Sequence, residues 1–437
     1  MTTGIVLVVF GLLAARLLVM IDAHAVNVLF WDQWDLFDAF FADAGFWEMF
    51  RWGHGPHRQG VAFPITRWVM DATAWNARAD AFHVAAWVIG ATALAIALRR
   101  RLFGNLALTD VAIPVLLLTP AQYGIFIHTP NASHGAAPLA LLVAQAFAWT
   151  LPRLEVRLAV VLVLNFLLLH TGFGLFAGAG TLLLLAAETI AARRRGEPRA
   201  VAFGSVALVL ALASVAVFFV GYRPDTAVDD FQFPSPHWPQ YPRYVALMLA
   251  NVLGLKGIGP LPTFAGFLAL ILAAWVTGER ILRLLRGADE DRTSRVVVAL
   301  VLFSLLFCAA TAVGRISLGM NAAQSTRYVP LVVPLFLGLF LHVQDLAPRP
   351  RMLVSATLVV VFVAATFPMR APEAAFMRVL HQAKQSWAET YRRTGSIDEA
   401  DRAAGRRIYH SDPESTRLQQ KLDWMEERRL GLFRDPD

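Results

Sequence analysis

The feature that most constrains this 437-residue chain is a run of apolar residues, about 18 long, that recurs from the amino terminus to beyond residue 360. Residues 5–21 (IVLVVFGLLAARLLVMI) and 296–313 (VVVALVLFSLLFCAATAV) are typical. Runs of that length match a hydrocarbon core of roughly 30 Å crossed as α-helix. Only 16% of the residues are charged and mean hydropathy is +0.52, whereas a soluble domain carries about 25% charged residues. The sequence therefore predicts an all-α polytopic membrane protein. It excludes a cytosolic enzyme, a disordered regulator and a secreted disulfide scaffold. An outer-membrane barrel is excluded too, since its spans would be short alternating strands.

Apolar runs predict about 11 transmembrane helices, at 4–21, 80–98, 105–123, 136–151, 157–170, 173–191, 200–221, 262–281, 296–313, 328–344 and 352–369. The first lacks the basic leader of a signal peptide, so it reads as an uncleaved span. The connections are of two kinds. Short basic ones, such as Arg99-Arg100-Arg101 and Arg193-Arg194-Arg195, hold 16 of the 39 Lys and Arg. Longer ones at 22–79, 124–135, 222–261 and 314–327 are rich in Trp, Pro, His and Asp. By the positive-inside rule the basic set is cytoplasmic and the other set faces outward. The net charge of +7 is thus topological and predicts no nucleic-acid partner. Two regions result: a transmembrane domain, 1–369, and a polar, helix-prone tail, 370–437, placed outside by parity. Segment 244–261, broken by Lys256, Gly257, Gly259 and Pro260, reads as interfacial or re-entrant. The localisation expected is a bacterial inner membrane. No 20–50-residue repeat indicates a solenoid. The single cysteine, Cys308, has no disulfide partner and sits in an apolar run.

Nearly every residue able to do chemistry falls in the outward set. The first loop carries Trp31-Asp32-Gln33-Trp34-Asp35, then His54-Gly55-Pro56-His57-Arg58. Asp32 and Asp35, three apart, share a helix face. A carboxylate partly desolvated by Trp31 and Trp34 suits proton abstraction from a hydroxyl. Arg58, with His54 and His57, suits an anionic group, because guanidinium grips phosphate oxygens as a fork. A divalent cation on His54 and His57 with Asp32 or Asp35 is chemically allowed, although Gly55-Pro56 indicates a turn. The second stretch runs from Arg315 to Arg327-Tyr328 at the head of a span. Arginine on the outer face runs against the charge bias, so Arg315 and Arg327 point to an anionic ligand at lipid-phosphate depth. His128, His134 and His170 lie on the same side and read as structural. Asp229 and Asp230 sit in the large outer loop. No nucleotide-binding motif occurs on the cytoplasmic side.

The motifs WDQWDLF, HGPHRQGVAFPITR and GRISLGMNAAQSTRY, with the span plan, resemble the C-type superfamily of integral-membrane glycosyltransferases. More narrowly they resemble a bacterial multi-span group with an Asp-Gln-Trp-Asp first outer loop. The superfamily's mark is an acidic motif just after span one that supplies the catalytic base, the place held here by Asp32 and Asp35. Two departures stand out: the acids are three apart instead of adjacent, and Ser-Thr-Arg-Tyr replaces Ser-Arg-Tyr. The resemblance implies an inverting transferase moving a sugar from a polyprenyl-phosphate carrier to a glycan, lipid or protein acceptor among membrane lipids. Asp32 would be the base, with Asp35 in reserve or orienting it. Arg327, Arg58 and Arg315 would hold the carrier phosphate, with His54, His57 and Tyr328 beside it. Rival readings are a flippase or transporter of an anionic solute, and a non-catalytic envelope-assembly subunit.

Overall fold

The computed structural model describes residues 2–222, 231–286, 291–366, 370–410 and 412–434. Among them the fold is helical apart from one two-residue hairpin, Gly53–His54 paired with His57–Arg58. Among the described residues nine helical runs are long and apolar enough to cross a membrane: Thr2–His24, Ala77–Phe103, Leu108–Ile125, Gly172–Arg195, Pro198–Phe219, Pro260–Leu285, Arg292–Leu318, Thr326–Gln344 and Pro348–Thr366. The predicted spans at 136–151 and 157–170 are shorter helices, Ala137–Ala148 and Leu154–Leu169. Pro152, which cannot donate to a helical ladder, falls in the break between them. The structure thus has fewer full-length spans than the eleven expected.

Burial sorts these helices into layers. Every residue of the Val329–Gln344 helix is buried, and it packs against the Arg292–Arg315 helix. At the periphery, Pro198–Phe219 and Pro348–Thr366 expose Val206, Val209, Leu353 and Val360. Helices apolar on all sides in this way need a hydrocarbon solvent. Tyr241–Val252 is too short to span, and its residues 244–252 are buried among neighbouring helices. Of the segment expected to be interfacial or re-entrant, 244–261, residues 244–252 lie in this buried helix and 256–261 are exposed. Gly266 makes the helix's seat possible: a Cβ there would lie 1.8 Å from the Ala246 carbonyl oxygen. Small residues permit this kind of close backbone approach between membrane helices.

The two sets of connections gather at opposite ends of the long helices. At the basic end Arg101 donates to Thr150 Oγ1, Arg194 to Leu285 O, and Arg99 pairs with Asp110. At the other end the first loop meets 128–134, 170–174, 324–328 and the tail. The tail is three helices, Ala371–Thr394, Ile397–Ala404 and Leu418–Glu427. It docks on the first loop through Trp31 N to Ile408 O (2.6 Å), Gly431 N to Ala74 O (2.8 Å) and Lys421 Nζ to Trp34 O (2.6 Å).

Candidate active site

The Trp31–Leu36 segment is held from three sides by Gln33. The side-chain oxygen of Gln33 accepts from Phe30 N at 3.0 Å, and its Nε2 donates to Pro130 O and Asp80 Oδ2 at 3.1 and 3.3 Å. Asp80 is fully buried in the first turn of the Ala77–Phe103 helix, where the helix dipole favours an anion. His83 Nδ1 stands 3.5 Å from the other Asp80 oxygen, and Trp87 Nε1 donates to His83 Nε2 at 2.9 Å. Indole only donates, so Nε2 accepts and the proton lies on Nδ1, toward Asp80. One helical turn, Gln33–Leu36, is thereby fixed relative to the Ala77–Phe103 helix and to the connection at Pro130.

Asp32 immediately precedes that turn without a side-chain capping bond, and its Oδ2 accepts from Arg327 Nη1 at 3.0 Å. The partners are 295 positions apart, and both side chains are part-exposed. Arg327 also lines a cavity of about 580 Å³ with Tyr123, His128, Phe376, Lys256, Arg370 and Glu373, the last lying 3.8 Å from Lys256 and 3.9 Å from Arg370. That size is within the roughly 300–1,000 Å³ of small-molecule sites. The first predicted base and one of the predicted phosphate ligands therefore meet beside a cavity that Arg327 lines.

Asp35 faces elsewhere. Lys421 from the tail lies 3.9 Å away, though its closer acid is Asp38 at 2.8 Å. Burial pushes the Asp35 carboxyl above its ordinary range, and Lys421 pulls the other way. The shared face expected for the two aspartates gives them different partners, because the turn is only four residues long.

His54 and His57 pair across the hairpin. His57 packs on Phe173 at 4.5 Å and on His134 at 4.7 Å. It is buried with neither ring nitrogen hydrogen-bonded. Burial pulls it down to about 3, helped by His54 and Arg315, so it is neutral at physiological pH. His128, at the cavity, is lowered to about 3 by burial, then by Arg327 and Lys384. His134 Nε2, Ser133 Oγ, both ends of the Gln59 amide and Tyr244 Oη are also buried without partners. Buried polar atoms are nearly always satisfied by protein or by an external group, so this bed offers donors and acceptors to a hydroxylated ligand or to water. Gly172 keeps it compact: its φ is +53°, and a Cβ would lie 1.7 Å from Ser133 O.

The remaining candidates divide. Arg315 ends the Arg292–Arg315 helix near His57 and Tyr244, and has no acid partner among the described residues. Tyr328 packs on Phe307 at 5.9 Å. Trp31 packs edge-on against His410 at 5.1 Å. Trp34 is fully buried, stacked on Phe41, and is a core residue of the loop. Arg58 is turned away from the Asp32–Arg327 pair: it donates to Phe218 O, Val220 O and Arg51 O at 2.7–3.0 Å. There it satisfies carbonyls at the end of the Pro198–Phe219 helix. Asp229 and Asp230 lie outside the described residues. Among the described residues no group of three or more His, Cys, Asp or Glu is placed to hold a metal ion.

Sequence reasoning missed Gln33, Asp80, Lys256, Arg370, Lys384, Arg406, Arg407 and Lys421. The tail residues carry no local motif. Their charges look like a solvated helix surface until the tail is folded back.

No protein-family model matches the chain, and no curated protein or solved structure is found to be similar to it.

Proposed function

We propose that this protein is an inverting glycosyltransferase that uses a polyprenyl-phosphate sugar on the outer face of a bacterial inner membrane. The chain would make eleven passes, with the two shorter helices included, and the tail would lie outside beside the first loop. The observation that carries this reading is the Asp32–Arg327 ion pair beside a cavity lined by three cations, Lys256, Arg327 and Arg370, and one acid, Glu373.

The chemistry follows from the pair. A carrier phosphate entering the cavity competes for the Arg327 guanidinium, which binds phosphate as a fork. Its capture leaves the Asp32 carboxylate free to accept the proton of an acceptor hydroxyl. The acceptor oxygen then bonds to the anomeric carbon from the face opposite the phosphate, and the carbon–oxygen bond to phosphate breaks with its electron pair. Configuration inverts, and the leaving phosphate keeps the charge. Arg327 meets that charge in a preorganised position, with Lys256 and Arg370 on the same wall sharing the single acid Glu373. The neutral His57 and the other unpartnered polar atoms beneath the first loop suit sugar hydroxyls, which both donate and accept.

Native mass spectrometry of the gently solubilised protein tests the reading. Wild type and Asp32→Asn should carry a polyprenyl phosphate or its sugar adduct, and Arg327→Ala should lose it. Ordinary phospholipid alone in all three would overturn the transferase and favour a transporter or an assembly subunit.

A further inference from the structure

A second cavity, of about 420 Å³, adjoins the first. It shares His128 and Phe376 with the Arg327 cavity, and its far wall comes from the tail: Arg406, Arg407, Tyr409 and His410. Trp31 closes the near side. Asp32 lines neither cavity itself, but it follows Trp31 of the second in sequence and its carboxylate pairs with Arg327 of the first.

The chemistry of this chamber is uneven in a useful way. Its rings, Trp31, Phe376 and His410, offer flat faces of the kind that pack against the apolar side of a sugar. Both arginines are braced by aromatics: Arg406 lies 5.8 Å over Phe376, and Arg407 lies 5.6 Å over Tyr409. Bracing fixes a fork that matches carboxylate or phosphate. Asp398 and Asp401 lie on the outer side of the two arginines, and Asp401 Oδ2 is 4.0 Å from Arg407. Arg406 makes no ion pair among the described residues. Among the described residues the chamber thus holds one guanidinium, Arg406, without an ion pair, beside the long Arg407–Asp401 pair.

Resting on the transferase reading, we infer that this tail-built chamber is the acceptor subsite and takes a sugar unit bearing an acid group, either a uronate or a sugar phosphate. The rings would hold the sugar plane, Arg406 and Arg407 its acid, and one hydroxyl would then point toward Asp32. The tail would set acceptor choice while the membrane helices hold the donor.

The test uses soluble sugars, which lack the lipid carrier, on the full-length protein in neutral phosphatidylcholine nanodiscs. Ligand-observed NMR would compare methyl β-glucuronide, glucose 6-phosphate and the neutral methyl β-glucoside. At least one acidic sugar should bind tenfold or more tighter than the glucoside, and which of the two does so names the acid. The double substitution R406Q/R407Q should weaken that binding at least tenfold, and R406K/R407K should keep part of it with unchanged thermal unfolding. Equal binding of acidic and neutral sugars, or no effect of R406Q/R407Q, would overturn the assignment. So would loss of the acidic sugar in phosphatidylglycerol nanodiscs, which would make a lipid headgroup the occupant. Retention of the polyprenyl carrier without acidic-sugar binding would sink this inference alone. Acidic-sugar binding without the carrier would sink the transferase instead.

Discussion

At the scale of single residues, burial decides which charges can act. Lys384 is 3% exposed, its Nζ donates to Ile127 O and His128 O at 2.9 and 3.2 Å, and it lies 4.5 Å over the Phe30 ring. Burial pulls this amine from its ordinary 10.5 down to about 7. A neutral amine still has two hydrogens, one for each carbonyl. Between about pH 7 and 10.5 the undocked tail binds a proton that the docked tail does not, so docking strengthens as pH rises through that window. The gain is at most roughly tenfold per pH unit and levels off below pH 7. Hydrogen exchange of the Ala371–Thr394 helix, corrected for intrinsic rate, should show protection rising from pH 7 to 9 in wild type and not in Lys384→Met. A flat wild-type profile would refute the assignment. Asp32 and Arg327, in contrast, are part-exposed and reachable by a ligand.

At the scale of elements, backbone approach matters more than side-chain volume. The Tyr241–Val252 helix is seated against Pro260–Leu285 through Gly266, where an added Cβ would meet a carbonyl oxygen that cannot swing aside. Gly266→Leu should destabilise the protein by about 1–3 kcal/mol, the usual cost of overpacking. Gly278 lies on the same helix with nothing within 4 Å of a Cβ. Gly278→Ala should therefore be neutral or slightly stabilising, because glycine in a helix interior costs about 0.5–1 kcal/mol relative to alanine. Thermal unfolding in detergent separates the two, and equal effects would mean that the helices are not so closely apposed. The Gln33–Asp80–His83–Trp87 chain is the polar counterpart: it ties a four-residue turn to a long helix so that Asp32 is placed by the scaffold.

At the scale of the whole molecule, the tail and the first loop form one layer at one end of the bundle. Cys308 is buried, so single added cysteines can report sidedness against a silent background. Glu48→Cys and Glu389→Cys, both at exposed positions, should react with a membrane-impermeant maleimide from the same side. Arg100→Cys, exposed among the basic connections, should react only after permeabilisation. Labelling of Glu389→Cys together with Arg100→Cys would separate tail from loop and contradict the fold.

The class of the fold was legible in the sequence because membrane spans are local: each needs only its own run of apolar residues to satisfy the backbone within the bilayer. The segregation of basic from aromatic-rich loops was legible for the same reason, and so was the presence of Asp32 and Arg327 among the residues worth testing. The lengths of the helices around Pro152, the burial of Tyr241–Val252 and the use of Arg58 on the carbonyls of a helix end were not legible, since each depends on what packs alongside. Least legible was the tail. Its near-balanced charges describe a surface, and only the fold shows that Lys421 is turned toward Asp38, Lys384 toward the 127–128 carbonyls, and Arg406 and Arg407 toward a cavity beside Trp31. By itself the sequence determined that the chain is a set of apolar helices of membrane-spanning length. Only the tertiary structure decided which polar residues share a site, because contacts across some 300 residues leave no periodic trace in the chain.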